Sequence, residues 1–244
     1  MILLYLAKLF IINPLLQKTG DFMRMRKKKH LEERLAVCDN VLTLFSDDCN
    51  FLTAIEKKEF IDTEELFGNS NPVVLEIGCG KGRFACELAK QNPDINVLAL
   101  EKCANVIVMA SEAATNENIT NLKFLRCGAE YLEKYIKPES IERIYLNFSC
   151  PYPKKRYANH RLTNERFLKS YKVILKKGAE IHQKTDNMHF FEYSIEQLTC
   201  FGFSLKNISL DLHNSEFEGN IETEYEHRFS SMGMPIYRLE AYLK

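Results

Sequence analysis

The sequence predicts an α/β protein: a mostly parallel, seven-stranded sheet with helices on both faces and an antiparallel edge at its C-terminal end. Two observations support this prediction. Short apolar runs alternate with helical stretches between residues 73 and 201, which is typical of parallel crossover connections. The last two apolar runs, 203–211 and 235–243, are separated by a polar loop instead of a helix, which favours antiparallel pairing.

The five parallel strands are predicted from short runs rich in Val, Ile and Leu. They lie at 73–77, 95–100, 122–126, 143–148 and 179–183. Helices are predicted between and after them at 82–91, 104–116, 129–136, 163–175 and 187–201. Ahead of the first strand, residues 31–45 are predicted to be helical, and residues 46–71 are polar and loop-like, with a clear breaker at 68–72.

Three segments divide the 244 residues. Residues 1–22 are an extension predicted to lie outside the fold, because their apolar run, 1–16, is too short to span a bilayer and lacks a cleavage-site pattern. Residues 23–71 are a basic segment followed by a linker, and residues 72–244 form the main domain. We therefore expect no association with a membrane.

Charge and cysteine content exclude several classes of protein. Lys plus Arg and Asp plus Glu both number 33, so the chain is not a globally basic nucleic-acid binder. Zero net charge does not exclude a local basic surface, because attraction to phosphate acts over about 10 Å. No two of the eight cysteines are closer than seven residues, so there is no zinc-ligand spacing and no metal is predicted. Reduced thiols without a secretion signal indicate a cytoplasmic protein.

A glycine-rich loop follows the first predicted strand: Glu76-Ile-Gly78-Cys-Gly80-Lys-Gly82. Glycines let the backbone turn sharply and approach a ligand closely. The GxGxG spacing differs from the GxGxxG of dinucleotide sites, and no Lys-Ser/Thr pair of a P-loop follows. Glu101, after the next strand, is placed to accept hydrogen bonds from ribose hydroxyls. The pattern favours an adenosine that carries a sulfonium amino acid; a purely structural turn is the alternative.

A second group of residues, Asn147 to Arg156, ends the fourth predicted strand. Ligands bind beyond the carboxyl ends of the strands in open α/β sheets, so this segment should border the same crevice. Between 151 and 177 there are nine Lys or Arg residues against one acid, Glu165. Together with the basic cluster at 24–34, they form either a phosphate-binding face or a solvated helix face.

Two further polar groups follow later strands, at 184–187 (KTDN) and 223–226 (TEYE). Both supply carboxylates and hydroxyls near the same edge of the sheet. Guanine presents its N1–H and its exocyclic amino group as donors, and carboxylates are natural acceptors for them. The alternatives are that the first group caps the next helix and that the acid-rich stretch 211–226 is a solvated loop.

These residues resemble the bacterial tRNA (guanine-N7-)-methyltransferase family. The resemblance runs from about Met23 to Tyr242 and includes MRMRKKKHLEERL, LEIGCGKGRF, NFSCPYPKKRYANHRLT, IHQKTDN and LDLHNSEFEGNIETEYEHRFSSMGMPIYRLEAY. It implies a Rossmann-like class I methyltransferase fold, with 72–244 as the methyltransferase domain. It also implies an enzyme that transfers a methyl group from S-adenosylmethionine to N7 of the variable-loop guanine at tRNA position 46.

The resemblance assigns roles by matching position. The implied cofactor-binding residues are Glu76, Gly78, Gly80, Gly82, Glu101, Gly128 and Cys150, with Cys150 at the position of the family's catalytic aspartate. The implied tRNA-binding residues are Lys154, Asp186, Thr223, Glu224, Tyr225 and Glu226. The choice between a monomer and a homodimer stays open.

The chain departs from the family at two carboxylates. The family has an aspartate where this chain has Cys150, and another where it has Gly128, unless Glu130 takes that place through a slip of the alignment. Tyr152 replaces a tryptophan, which is a milder change because both are aromatic with a polar tip.

The missing carboxylates predict reduced activity. Guanine N7 carries a lone pair and no proton, so methyl transfer depends on alignment and needs no general base. A neutral thiol is a weak acceptor, and losing one charged contact costs about 1.5–3 kcal/mol. The alternatives are a tRNA-binding protein that has lost catalysis and a methyltransferase acting on small molecules or proteins. The glycine spacing disfavours an NAD-dependent oxidoreductase.

Overall fold

The computed structural model describes residues 28–44 and 55–243. Within them one sheet contains eight strands. The strands are β1 Val41–Thr43, β2 Val73–Ile77, β3 Asn96–Leu100, β4 Leu122–Arg126, β5 Ile141–Asn147, β6 Leu175–Thr185, β7 Phe203–Ser209 and β8 Tyr237–Leu243. Their order across the sheet is β1-β4-β3-β2-β5-β6-β8-β7. Strands β1 to β6 pair in parallel, and β8 lies antiparallel between β6 and β7.

Helices cover both faces of the sheet. They are α1 Leu31–Ala36, α2 Thr63–Phe67, α3 Arg83–Gln91, α4 Ala104–Asn116, α5 Leu132–Tyr135, α6 Glu165–Ile174, α7 Met188–Cys200 and α8 Glu224–Ser230. One buried apolar cluster includes residues of α5, α6 and α7, and a second includes residues of α3 and α4. The mostly parallel sheet, its antiparallel C-terminal edge and the helices on both faces are therefore confirmed.

The two central strands explain why the glycine loop is held rigidly. Every residue of β2 and of β3 is buried, as expected for parallel strands that are covered on both faces. The register pairs Leu75 with Leu98 and Ile77 with Leu100, so the two strands end at the same level. The turn that leaves β2 and the turn that leaves β3 are therefore neighbours at the carboxyl edge.

The seven-strand prediction was wrong by one strand. The stretch 31–45 was expected to be helical, but its helix ends at Ala36, and Val41–Thr43 forms β1 beside β4. The Asn40 side chain ties this strand to α4, because its amide donates to the Ser111 carbonyl (3.3 Å). A three-residue strand leaves too little periodicity to be recognised, so its tertiary neighbours decide the conformation.

The polar loop before the last strand contains α8, which begins with a capping box formed by Thr223 and Glu226. The extension 1–22 and the basic residues Arg24, Arg26 and Lys27 lie outside the described residues. In the described part of the chain, no helix combines the length and the apolar character that crossing a bilayer requires.

Candidate active site

A cavity of about 460 Å³ opens at the carboxyl ends of β2 and β5. Its walls come from the glycine loop, from the end of β5 and from the first turns of α8. The lining residues are Glu76, Gly78, Cys79, Gly80, Lys81, Arg83, Phe84, Val106, Asn147, Phe148, Thr223, Glu224, Tyr225 and Arg228. Segments that are about 145 residues apart in the sequence therefore share one site.

The glycine loop needs its glycines. Gly78, Gly80 and Gly82 all have positive φ values, of 82°, 57° and 81°, which other residues rarely adopt. At Gly82 an added Cβ would also lie 2.7 Å from the Cβ of Ala110 on α4. Gly82 therefore lies beneath the loop against α4 and does not line the cavity.

Glu101 contacts this loop from the end of β3. Its carboxylate accepts hydrogen bonds from the backbone N–H of Gly80 (3.3 Å) and of Cys103 (2.8 Å). The predicted proximity of the acid to the glycine loop is present, although Glu101 is absent from the cavity wall itself. Its side chain is half-buried, so part of the carboxylate stays open to a ligand beside the loop.

Glu76 is a buried carboxyl with one unused oxygen. Asn147 donates to its Oε1 (3.0 Å), whereas its Oε2 finds no hydrogen-bond partner among the described residues. Burial raises the pKa of Glu76 to about 7, while the Asn147 hydrogen bond and the charge of Lys184 act in the opposite direction. A buried, unpartnered acceptor in a cavity wall is the expected feature of a site for a cationic or N–H-bearing ligand.

Lys184 connects β6 to the segment before α8. Its ammonium group donates to Glu226 Oε2 (2.5 Å), to the Ile221 carbonyl (2.8 Å) and to Asn220 Oδ1 (3.0 Å). Burial lowers the pKa of Lys184, and the Glu226 carboxylate counteracts this. Lys184 thus fixes the position of the 220–226 segment, a role that we did not predict from the sequence.

The TEYE segment has two buried ends, Thr223 and Glu226, and an exposed middle. Glu226 is completely buried, and it caps α8 together with Thr223. Glu224 and Tyr225 are exposed at the cavity wall, and Glu224 forms an ion pair with Lys81 of the glycine loop (2.9 Å). The Thr-x-x-Glu capping-box pattern was the signal in the sequence that could have separated these roles.

Three aromatic rings lie at the mouth of the cavity. The ring centroids of Phe148, Tyr225 and Phe229 are 6.4–6.5 Å apart, and their planes differ by 18–23°. Phe148 has a φ of 49°, and Tyr152, four residues later, has a φ of 40°. Two non-glycine residues in this sparsely populated region show that the segment after β5 is held in a strained conformation.

Next to this segment lies a basic surface. Lys154, Lys155 and Arg156 are exposed, and none of them forms an ion pair with an acid in the described ranges. Elsewhere in 151–177 the cations Lys169 and Lys176 pair with Glu165 and Glu142. Lys154, Lys155 and Arg156 are therefore three consecutive exposed cations without an ion-pair partner in the described ranges, whereas Lys169 on α6 and Lys176 on β6 are paired.

Seven predicted residues are absent from the cavity lining. They are Gly82, Glu101, Gly128, Cys150, Lys154, Asp186 and Glu226. Cys150 and Lys154 are exposed on the segment that follows Phe148. Asp186 is half-buried after β6, and burial raises its pKa. The capping alternative holds for Asn187, whose Oδ1 accepts from the Phe190 N–H (2.8 Å), and it leaves the Asp186 carboxylate available.

One cluster has the composition of a metal site. Ligand atoms of Glu180, His182 and Glu240 lie within 4.8 Å of one another. Lys206 forms ion pairs with both carboxylates, and Arg238 forms one with Glu240. Burial lowers the pKa of His182 to about 4. Arg143 forms a further ion pair with Glu180 (3.7 Å), so the two carboxylates already pair with three cations and the cluster is a structural ion-pair network.

Solved structures establish the fold class. The chain matches a 16S rRNA methyltransferase, KamB, with a TM-score of 0.56 and 18% identity over 77% of this chain and 95% of that one. It also matches a mutant 16S rRNA (adenine(1408)-N(1))-methyltransferase from Catenulisporales acidiphilia, solved with its cosubstrate SAM, with a TM-score of 0.53 and 14% identity over 75% and 92%. A family model described as "Putative methyltransferase" matches residues 70–239. Fold, loop and family match together define a Rossmann-like methyltransferase.

Relatives in sequence define the family. The chain is 44% identical over 219 residues to the tRNA (guanine-N(7)-)-methyltransferase of Bacillus cytotoxicus, covering 90% of this chain and 96% of the relative. It is 45% identical over 219 residues to the enzyme of the same name from Macrococcus caseolyticus, covering 90% and 99%. The chain belongs to the tRNA (guanine-N7-)-methyltransferase family.

Proposed function

We propose that this protein transfers a methyl group from S-adenosylmethionine to N7 of a guanine in tRNA, the variable-loop guanine at position 46. The observation that carries the proposal is the shared cavity: the glycine loop and Glu76 form one wall, and Thr223, Glu224 and Tyr225 form the other. One wall suits a sulfonium-bearing nucleoside, and the other suits the donor edge of a guanine.

The residues present fit the methyl donor. The unpartnered Glu76 Oε2 is an acceptor for the donor's ammonium group, and the half-buried Glu101 carboxylate is an acceptor for ribose hydroxyls. The open glycine loop between them leaves room for the ligand, because an added Cβ at Gly78 or Gly80 would meet no atom within 4 Å. When bound, the donor supplies a methyl carbon that its sulfonium group activates.

The chain's own contribution to the reaction is alignment. Guanine N7 has a free lone pair, so no side chain has to remove a proton from it. Holding the two reacting atoms in line is worth up to about 7–11 kcal/mol in favourable cases. The aromatic rings of Phe148 and Tyr225 offer a stacking surface for an extruded base, and Glu224 lies beside it as an acceptor.

The surface at 154–156 is suited to the tRNA backbone. Three exposed cations, which have no acidic partner among the described residues, lie next to the strained segment that leads from the cavity. Arg156 also lies 4.8 Å above the ring of Tyr157, an arrangement that keeps the guanidinium exposed on an aromatic face. On a chain of zero net charge, such a surface directs phosphate to one side of the cavity.

Incubation of the protein with bulk tRNA and a methyl-labelled donor tests the proposal. We expect label in 7-methylguanosine after nucleoside analysis, and at least a tenfold lower yield for Glu76→Ala, which removes the proposed ammonium acceptor. Glu87→Ala, on the outer side of α3, is the matched control and should leave the yield unchanged.

Two results would contradict the proposal. Label in a different base, or in protein, would show that the substrate is wrong. Unlabelled tRNA, together with retained tRNA binding and no binding of S-adenosylhomocysteine in calorimetry, would indicate a tRNA-binding protein without catalysis.

A further inference from the structure

A second cavity, of about 380 Å³, lies beside the candidate active site. Its walls come from α3, from β5, β6 and β8 on the α3 side of the sheet, and from the segment 217–221. A volume of this size accommodates a nucleotide-sized ligand. Phe84 and Asn147 line both cavities, so ligands in the two sites would be neighbours.

The part of the sheet that forms the floor of this second cavity is polar. The buried apolar cluster of α3 and α4 includes residues of β2, β3 and β4 and Tyr145 of β5, but among the described residues it includes none of β6 or β8. On these two strands Ile181 and Leu239 point to the opposite apolar cluster. Because side chains alternate along a strand, their neighbours on the α3 side are charged or polar: Glu180, His182, Arg238 and Glu240.

The charges at this floor do not cancel. Three cations pair with two carboxylates there; the cations are Arg143, Lys206 and Arg238, and the carboxylates are Glu180 and Glu240. Burial lowers the pKa of His182 to about 4, so it is neutral at pH 7. Lys184, which also lines the cavity, is paired with Glu226. One positive charge therefore remains in a partly buried site, where an anion is favoured.

Arg143 is the cation that is available to a ligand. Its Nη1 donates to the Tyr145 hydroxyl (3.2 Å), and its Nε lies 3.7 Å from Glu180, which is too far for a hydrogen bond. Its Nη2 has no hydrogen-bond partner among the described residues. The Arg143 side chain is 40% exposed, whereas that of Arg238 is 6% exposed and lies 3.7 Å from the ring of Phe217.

We propose that the second cavity binds a nucleotide, and that Arg143 contacts its phosphate group. A guanidinium with free N–H groups binds phosphate oxygens through parallel hydrogen bonds. The rings of Tyr145 and Phe217 in the cavity wall suit the attached base. One unbalanced positive charge matches a phosphodiester, which carries one negative charge, better than a phosphomonoester, which carries about two. The phosphate therefore belongs to a nucleic-acid chain; only the identification of that chain as tRNA rests on the proposed function.

Calorimetry with inorganic phosphate at constant ionic strength tests the inference without donor or tRNA. The unsubstituted protein should bind phosphate with a Kd of about 1 mM. Arg143→Met keeps the length of the side chain but removes its charge, so it should weaken binding at least tenfold. Arg143→Lys keeps the charge without the planar fork and should weaken binding about threefold, an affinity that a misfolded variant would not retain. Lys169→Ala, which removes a cation paired on α6, is the control.

Two nucleotide probes distinguish the possible sources of the phosphate. The dinucleoside monophosphate UpU contains a phosphodiester and no terminal phosphate, whereas UMP carries a phosphomonoester. UpU should bind at least fivefold more tightly than UMP, because its charge matches the site and it adds a second base. Both affinities should fall in Arg143→Met. Tighter binding of UMP would retain the phosphate site but overturn its assignment to a nucleic-acid chain.

Two results would overturn the inference as a whole. One is the failure of phosphate, UMP and UpU to bind the unsubstituted protein; the other is equal binding by the unsubstituted protein and Arg143→Met. Neither result would contradict the proposed function, which the methylation assay tests separately. Conversely, phosphate binding that depends on Arg143, together with no methylation of tRNA, would contradict the proposed function and leave the second site in place.

Discussion

Glu76 is a buried carboxyl that the proposed donor site would use at the expense of stability. It lies in a strand that is otherwise entirely apolar, and it receives one hydrogen bond, from Asn147. A buried carboxyl that is only partly satisfied takes up a proton more readily than one in water, which explains its raised pKa. A cationic ligand that completes its hydrogen bonds reverses this effect.

The pH dependence of the free energy of unfolding should reveal the titration of Glu76. The pKa of Glu76 is raised from 4.5 to about 7, so between these values the native state holds a proton that the unfolded chain has lost. Stability of the ligand-free protein should therefore fall by about 3 kcal/mol as pH rises through this window. Urea unfolding of the unsubstituted protein and of Glu76→Gln at several pH values measures this change in stability. A slope that persists in Glu76→Gln would contradict the assignment.

Affinity for S-adenosylhomocysteine should change in the opposite direction. Its ammonium group favours the ionised carboxylate, so binding should tighten as pH rises through about 7. Calorimetry across this range tests the expectation, with Glu76→Gln as the variant that should show weak binding at every pH. A flat profile for the unsubstituted protein would indicate that Glu76 does not bind the ammonium group.

Cys150 is the residue at which we expect a gain of activity. The thiol is exposed on the segment that follows Phe148. A carboxylate there can favour the positive charge that moves onto the purine, so Cys150→Asp should raise kcat about tenfold or more. Single-turnover methylation of tRNA measures it, and Cys150→Ser is the neutral control. Equal rates for all three proteins would show that residue 150 takes no part in the reaction.

At the scale of elements, the contact between β6 and α8 shapes the cavity wall that we propose for the substrate. Lys184 leaves the end of β6 and binds the chain before α8 through three acceptors. Glu226 caps the helix and neutralises that lysine. Thr223, Glu224 and Tyr225 are consequently presented to the cavity by a short helix whose first turn is fixed in place.

Removing Lys184 should therefore destabilise the protein and impair the site together. Lys184→Met removes the ammonium group that pairs with the buried Glu226 carboxylate and leaves His213 as its remaining basic contact, which costs about 3–5 kcal/mol. Lys184→Met/Glu226→Gln should recover most of that loss. Urea unfolding of the single and double variants measures the coupling. If the single variant lost less than 1 kcal/mol, the pair would not be the anchor of α8.

At the scale of the whole molecule, the distribution of charge matters more than its sum. Net charge is zero, yet the consecutive cations at 154–156 have no acidic partner among the described residues, whereas Lys169 and Lys176 are paired. The unpaired set lies on the same edge as the cavity mouth. A protein of this kind is expected to approach RNA in one orientation, with the phosphates near 154–156 and the base toward Phe148.

The salt dependence of tRNA binding should show whether the surface at 154–156 contacts the phosphates. Replacing Lys154, Lys155 and Arg156 by Ala should lower the slope of log K against log salt by about 2–3, since each phosphate contact contributes about 0.7–0.9. Affinity for S-adenosylhomocysteine should stay the same. Lys169→Ala, which loses a cation already paired with Glu165, is the matched control. A triple variant with an unchanged slope would place the tRNA elsewhere.

The sequence alone determined the features that depend on neighbours along the chain. Strand and helix periodicity, the GxGxG turn and the acid after β3 are local patterns, and the structure places them as predicted. Periodicity works here because each buried strand or amphipathic helix repeats its pattern over at least five residues.

Only the tertiary structure decided the rest. Val41–Thr43 becomes a strand because β4 offers it an open edge. Glu226 is buried because Lys184, 42 residues away, neutralises it. The Glu130 carboxylate fills the space above Gly128, and Phe148 meets Tyr225 at the cavity mouth. These arrangements depend on burial, on opposite charge and on volume shared between distant residues, and no local pattern carries that information.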